Sequence, residues 1–239
     1  MLLERELHEK ADRWGADFFG VADLAVAREA ITAQGGPVLA QFPRALSIGI
    51  RLFDPIVNQL PNRADKAVAL SYKHHCYDLI NQRLDHIASQ LASVLQYEGY
   101  RAMPIPASQV VDDEKLLGQF SNKLAAHLAG LGWIGRSCLL VTPTAGPRVR
   151  WASVLTDAPL DPTGALTEHR CGTCRECVDI CPAQAFSGVA FHPEDPREVR
   201  MAADKCKAHL DQTKAETGNS ICGLCLYVCP HGRRGVDKV

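Results

Sequence analysis

Apolar positions in the first two thirds of the chain recur with two different periods. Residues 2–14 form an amphipathic pattern that predicts an opening helix, closed by Gly15. Phe18, Phe19 and Val21 predict a short strand, and Leu46 to Leu52 a second. The longest periodic stretch comes next. Tyr77, Ile80, Leu84, Ile87, Leu91 and Val94 or Leu95 follow at helical steps and mark one helix face, and Gly99 stops it. Arg101 to Ile105 reads as extended, and Pro104 and Pro106 confine it to a sheet edge, because proline donates no ladder hydrogen bond. Lys123 to Ala129 predicts a helix, and Leu139 to Val141 and Val149 to Leu155 predict strands. Helices and strands mix without a regular βαβ rhythm, so the fold class is α/β with a mixed sheet.

The pattern changes near residue 160. Asp157-Ala-Pro-Leu-Asp-Pro-Thr-Gly164 is dense in turn formers and makes a seam, which divides the chain into residues 1–160 and 161–239. An apolar content of 46% and a charged content of 22% are those of a soluble globular protein. A formal charge of −1 argues against a broadly basic nucleic-acid surface. The opening MLLERELHEK is too charged for a signal peptide, and no apolar run reaches the length of a membrane span. The expected location is cytoplasmic.

Of the ten cysteines, all but Cys76 and Cys138 lie at or after residue 171. Cys171, Cys174, Cys177 and Cys181 read C-x2-C-x2-C-x3-C, with Pro182 next. This is the spacing of the bacterial ferredoxin run, in which three thiolates hold one iron–sulfur cluster and the fourth reaches another. Cys222, Cys225 and Cys229, followed by Pro230, are an incomplete second copy: Asn219 stands where its first cysteine belongs, and Cys206 is the spare thiol. The run's geometry assigns Cys171, Cys174, Cys177 and Cys229 to one four-iron cluster, and Cys181, Cys206, Cys222 and Cys225 to the other. Structural zinc is the alternative, but zinc knuckles usually stand a dozen or more residues apart. Disulfides do not suit a reducing compartment. Cys76 and Cys138 read as buried apolar thiols.

Gly130-Leu-Gly-Trp-Ile-Gly135 matches G-x-G-x-x-G, but a helix precedes it and a strand follows, the reverse of a dinucleotide site. Two readings stay open. One is a tight helix-to-strand turn with Trp133 packed inward; the other is a backbone that approaches a flat cofactor where no Cβ intervenes. His74 and His75, adjacent on a helix, are expected to split between a solvent side and a packed side. Asp112 and Asp113 are a candidate acid pair in an acidic loop. Arg148 and Arg150 read either as anion contacts or as outward strand residues, and Arg233-Arg234 as a solvated tail.

Taken in order, AGLGWIGR (Ala129 to Arg136), LLVTP (Leu139 to Pro143), VLTD (Val154 to Asp157) and the split cysteine tail resemble the epoxyqueuosine reductase family, a relative of the reductive dehalogenases. The resemblance implies a nitroreductase-like mixed-sheet domain followed by a small two-cluster ferredoxin-like domain. It further implies a base-off cobalamin, with Gly130, Gly132, Trp133, Gly135 and Arg136 lining the corrin. Electrons would enter from ferredoxin or flavodoxin, pass through two [4Fe-4S] clusters, and reach a small substrate through cobalt. The family also carries a helical-repeat extension for tRNA, whereas this chain ends soon after Cys229, so tRNA stays open as a substrate. Its D-S-A-P-x-x-E-K motif aligns its lysine with Lys123 and its aspartate with Leu116, which leaves Asp112 as the candidate proton donor after a loop shift. The alternatives are an electron-transfer protein serving a cofactor on a docked partner, and flavin in place of the corrinoid.

Overall fold

The computed structural model describes residues 2–233. The strands are β1 (Phe18–Asp23), β2 (Arg44–Arg51), β3 (Ala102–Ile105), β4 (Trp133–Ile134), β5 (Leu140–Val141) and β6 (Val149–Thr156). The helices are α1 (Leu2–Arg13), α2 (Arg28–Gly35), α3 (Asp54–Val57), α4 (Lys66–Ser71), α5 (Leu79–Tyr97), α6 (Asn122–Leu128), α7 (Glu176–Asp179), α8 (Ala203–Thr217), α9 (Leu224–Tyr227) and α10 (Pro230–Arg233). The chain forms two compact units. The first comprises Met1–Ile50, Asn81–Gly132 and Arg150–Thr167; the second comprises Arg51–Ile80, Trp133–Val149 and the chain from Glu168 onward.

The first unit is built on a four-stranded sheet in the order β1-β2-β6-β3. β1 and β2 run antiparallel with Phe18 opposite Gly49, and β3 and β6 run antiparallel with Ile105 opposite Ser153. β3 is an edge, which is why it tolerates Pro104. The central strands are buried on both faces, so Ala45 to Ile50 and Trp151 to Thr156 are enclosed without alternation. Ala22, Leu24, Ile31, Phe42, Ile105 and Leu155 belong to one apolar core. On α5, Leu84, Ile87, Leu91 and Leu95 are buried, as the periodicity required. Gly15 and Gly99 take positive φ just beyond α1 and α5, where an L side chain is strained.

The second unit opens with short elements. The side chain of Asp65 caps α4 by accepting from Ala67 N at 2.7 Å, and a π-helical stretch, Tyr72–Asp78, follows. Its wider winding turns Tyr72 and Cys76 inward and leaves His74 and His75 both exposed, their ring centroids 4.7 Å apart. The expected split of the pair between core and solvent is therefore not seen: the two buried positions are already taken. In the same unit β4 and β5 form a small antiparallel hairpin, with Trp133 opposite Val141. The second half of the glycine turn is thus a strand. No described helix is long and apolar enough to cross a membrane.

Candidate metal centre

The cysteine segment has little regular structure, and its short helices set the direction of each thiol. Gly172, at φ +52°, turns the chain after Cys171, and Cys174 N donates to Cys171 O at 2.9 Å. The single turn of α7 carries Cys177, and Cys181 leaves after it and is stopped by Pro182. Cys181 Sγ accepts from Ala185 N at 3.4 Å. Cys206 lies in the first turns of α8, which ends at Gly218 in the left-handed conformation. Past Cys222, Gly223 also has positive φ, and α9 carries Cys225. Asn219, at the position of the missing cysteine, is used structurally. Its N–H donates to Thr217 Oγ1 at 3.2 Å and its side-chain amide to Thr217 O at 3.3 Å, which closes the end of α8.

These turns gather the thiols in two sets. Cys171, Cys174, Cys177 and Cys229 border one cavity. Burial pushes the Cys177 thiol up to about 11, and Cys171, Cys229 and Cys174 add to the rise. Burial also raises Cys229, with Cys171 and Cys174 contributing. In the other set, burial raises Cys206, and Cys222 and Cys181 push in the same direction. Cys225 is raised furthest, by burial first and then by Cys222, Cys206, Cys177 and Cys181. Cys177 among its neighbours links the two sets. Four crowded thiolates repel one another, so such a set is held deprotonated only around positive charge. Among the described residues no group of three or more His, Cys, Asp or Glu side chains has the geometry for a single metal ion. The donors are all sulfur, the chemistry that suits an iron–sulfur cluster.

The walls come from segments remote in sequence. Gly135 borders the first cavity: a Cβ there would fall 2.9 Å from Val141 Cγ2 and 3.6 Å from Cys171 Sγ. The Arg136 guanidinium also borders it and donates to Gly188 O and, at 2.7 Å, to Gly172 O. Together with burial, Arg136 lowers the His169 pKa. Trp133 is buried, edge-on to His231 at 4.9 Å between centroids, and its Nε1 has no partner among the described residues. Against the second set, a Cβ on Gly223 would meet Leu60 Cδ1 at 2.7 Å and Tyr72 Oη at 3.2 Å, so residues 51–80 cover the loop beside Cys222.

Arg148, read from sequence as an anion contact or an outward residue, is neither. Its side chain is 1% exposed and pairs with Asp54 at 2.7 Å, with Tyr227 O at 3.5 Å. Gly232 leaves room for it, since a Cβ there would lie 3.0 Å from Arg148 Nε. Arg150 donates to Asn81 Oδ1. Arg233 is not a solvated tail: it donates to Tyr227 O at 3.4 Å and lies over the Tyr227 ring, while Arg234 lies outside the described residues. Cys76 and Cys138 are buried, as expected, and Arg200 Nη1 lies 3.9 Å from Cys138 Sγ.

In the first unit, Gly130 has φ +74°, and a Cβ there would lie 2.8 Å from Ala165 O and 2.9 Å from Gly164 Cα. Its missing side chain is thus accounted for by a close approach of backbone to backbone. Thr167 Oγ1 donates to Gly130 O at 3.1 Å. His127 Nδ1 lies 2.9 Å from Gly132 O, and since a carbonyl only accepts, Nδ1 carries the proton. A helix before the turn and a strand after it confirm that this is no dinucleotide fingerprint. Lys123 sits in the first turn of α6, which Ser121 caps. Asp112 is part of a local bridge with Leu117, and its carboxylate accepts from Lys115 N at 2.8 Å. Leu116, in the same loop, has φ +53°.

Residues 170–232 match a 4Fe-4S double cluster binding domain. The epoxyqueuosine reductase of Pseudomonas aeruginosa is 27% identical over 246 residues, covering 96% of this chain and 62% of that protein. The chain resembles the epoxyqueuosine reductases. A crystal structure of an epoxyqueuosine reductase with an epoxyqueuosine-modified tRNA-Tyr stem loop aligns with a TM-score of 0.63 at 20% identity, over 97% of this chain and 66% of that one. A reductive dehalogenase described as B12-dependent aligns with a TM-score of 0.65 at 20% identity, over 95% of this chain and 31% of that one. At these identities the structural likeness is one of fold. The chain spans about two thirds or less of the length of these relatives.

Proposed function

We propose that this chain is an iron–sulfur reductase that combines two [4Fe-4S] clusters with a base-off corrinoid to reduce a small molecule, epoxyqueuosine-like or other. One observation carries the reading: the fold gathers the cysteines as two all-sulfur sets of four, one member of each set coming from the other's sequence motif. Cys171, Cys174, Cys177 and Cys229 would hold one cluster, and Cys181, Cys206, Cys222 and Cys225 the other. When bound, the clusters supply one-electron transfer and the corrinoid supplies a low-valent cobalt reductant. Fold likeness to a B12-dependent dehalogenase supports the corrinoid. The buried Nε1 of Trp133, which has no partner among the described residues, is a donor that a bound group near this turn would satisfy.

The chain's own residues divide the remaining work. Leu60 and Tyr72 pack against Gly223 and would shield the Cys222 loop from water. Arg136 ties the glycine turn to the cysteine run through Gly172 O. Asp112 would hold the proton for the substrate, and Lys123 would fix a negative group beside it. The external donor would be a ferredoxin or flavodoxin.

A second reading has its own observation. The Arg136 fork is committed to two carbonyls and Gly130 to the backbone of Gly164 and Ala165, so neither is free to meet a ligand through those groups. This favours an electron-transfer protein whose cofactor sits on a docked partner. Anaerobic reconstitution followed by optical titration with base-off cobalamin separates the two. The reductase reading expects about eight iron atoms per chain and a changed corrinoid spectrum. A fully clustered protein that leaves the spectrum untouched overturns the reductase and keeps the electron carrier.

A further inference from the structure

Among the described residues Arg136 is a cation without a carboxylate partner. Among the described residues its partners are carbonyl oxygens, Gly172 O at 2.7 Å and Gly188 O, and its Nε is buried with no partner. It borders the cavity ringed by Cys171, Cys174, Cys177 and Cys229. Glu176 borders the same cavity but is exposed, where solvent screens its charge. A guanidinium stays charged, and here both of its terminal nitrogens are anchored before any cluster is bound, so the charge is preorganised. A cluster in four thiolates is anionic, and it becomes more so on reduction. Hydrogen bonds and positive charge near its sulfurs therefore favour the reduced state. Neutral amides serve both sets, Ala185 N at Cys181 Sγ at 3.4 Å and the backbone of His231 and Gly232 at Cys229, so what sets the first apart is the Arg136 charge at its cavity.

We infer that Arg136 is a positioning residue for electrons: it raises the reduction potential of the cluster in Cys171, Cys174, Cys177 and Cys229 above that of its neighbour. The first electron to enter the chain then rests at the site against the glycine turn. This inference rests on the two-cluster reading above. No bond is made or broken; one electron from an external donor is retained at the site with the higher potential.

The test is an anaerobic redox titration of the reconstituted full chain, followed by electron paramagnetic resonance, on the wild type, Arg136→Gln and Arg136→Lys. Wild type should show two separable waves. In Arg136→Gln the higher wave should fall so that its reduced-to-oxidised ratio at fixed potential drops about tenfold, about 59 mV for a one-electron couple, with the lower wave unmoved. Arg136→Lys keeps the charge but loses the fork and the Nε–H, and should shift the same wave less. A Gln variant with full iron and unmoved waves overturns the inference, as does an equal shift of both waves. Should the Gln variant fail to load its iron, the Lys titration decides on the same criteria. A wild type that takes up no iron overturns the inference together with the cluster reading; full iron with unmoved waves overturns the inference alone.

Discussion

Replacing Cys206 by alanine isolates the claim that a thiol outside the motif completes a cluster. Cys206 is half-buried on α8, between Asp204 and Lys207, and its neighbouring thiols are Cys222 and Cys181. In the metal-free chain the substitution is nearly silent. Alanine is the better helix former by about 0.5 kcal/mol, which offsets the loss of a half-buried sulfur. Almost any effect on the loaded protein therefore belongs to the metal. One ligand in four is lost from one set, and the Cys171, Cys174, Cys177 and Cys229 set keeps all of its thiols. Iron should fall from about eight to about four atoms per chain. In the reduced protein, the signal of two interacting clusters should simplify to that of one isolated cluster. Cys138→Ala is the control: it removes a buried thiol at a cost of about 1 kcal/mol and leaves iron unchanged. Full iron in Cys206→Ala would refute the assignment. Loss of all iron would refute the independence of the two sites.

Three further outcomes follow from the geometry. Gly130→Ala places a Cβ at φ +74° and 2.8 Å from Ala165 O, and should lower stability by about 1–3 kcal/mol in denaturant unfolding. Asp112→Asn should lower turnover of a reducible substrate by about 100-fold. Because the side chain sits in a surface loop, stability should stay within about 0.5 kcal/mol; unchanged turnover removes Asp112 from the mechanism. The Asp157 carboxyl is held below its usual range by its hydrogen bond from the Arg101 side chain. Its contribution is therefore present above the unfolded carboxylate pKa and lost as pH falls through the folded value. At pH 7, Asp157→Asn should cost about 0.5 kcal/mol, since the pair is partly exposed, and the gap from wild type should close in acid.

The elements that were legible in the sequence are those with a local cause. The α5 stripe follows from its period, the ends of α1 and α5 from Gly15 and Gly99, and the edge position of β3 from Pro104. α8 escaped the pattern. Its sequence, ADKCKAHLDQTKAET, has little apolar periodicity, and the one local sign was Gly218 just beyond it. The buried state of Arg148 was equally hidden, because its partner Asp54 lies far away in sequence and a strand pattern does not price a paired charge.

By itself the sequence determined how the thiols are spaced along the chain. Cysteine spacing is a local quantity, and it sets which thiols a turn can point at one centre; hence the two motifs, and two sets of four as an expectation, could be read before any fold was known. Only the tertiary structure decided what surrounds them. Residues 51–80 and 133–149 join the cysteine segment in one unit, which puts Gly135 and Arg136 at one thiol set and Leu60 and Tyr72 at the loop of the other. Those neighbours are fixed by which distant surfaces bury one another, and no spacing along the chain encodes that.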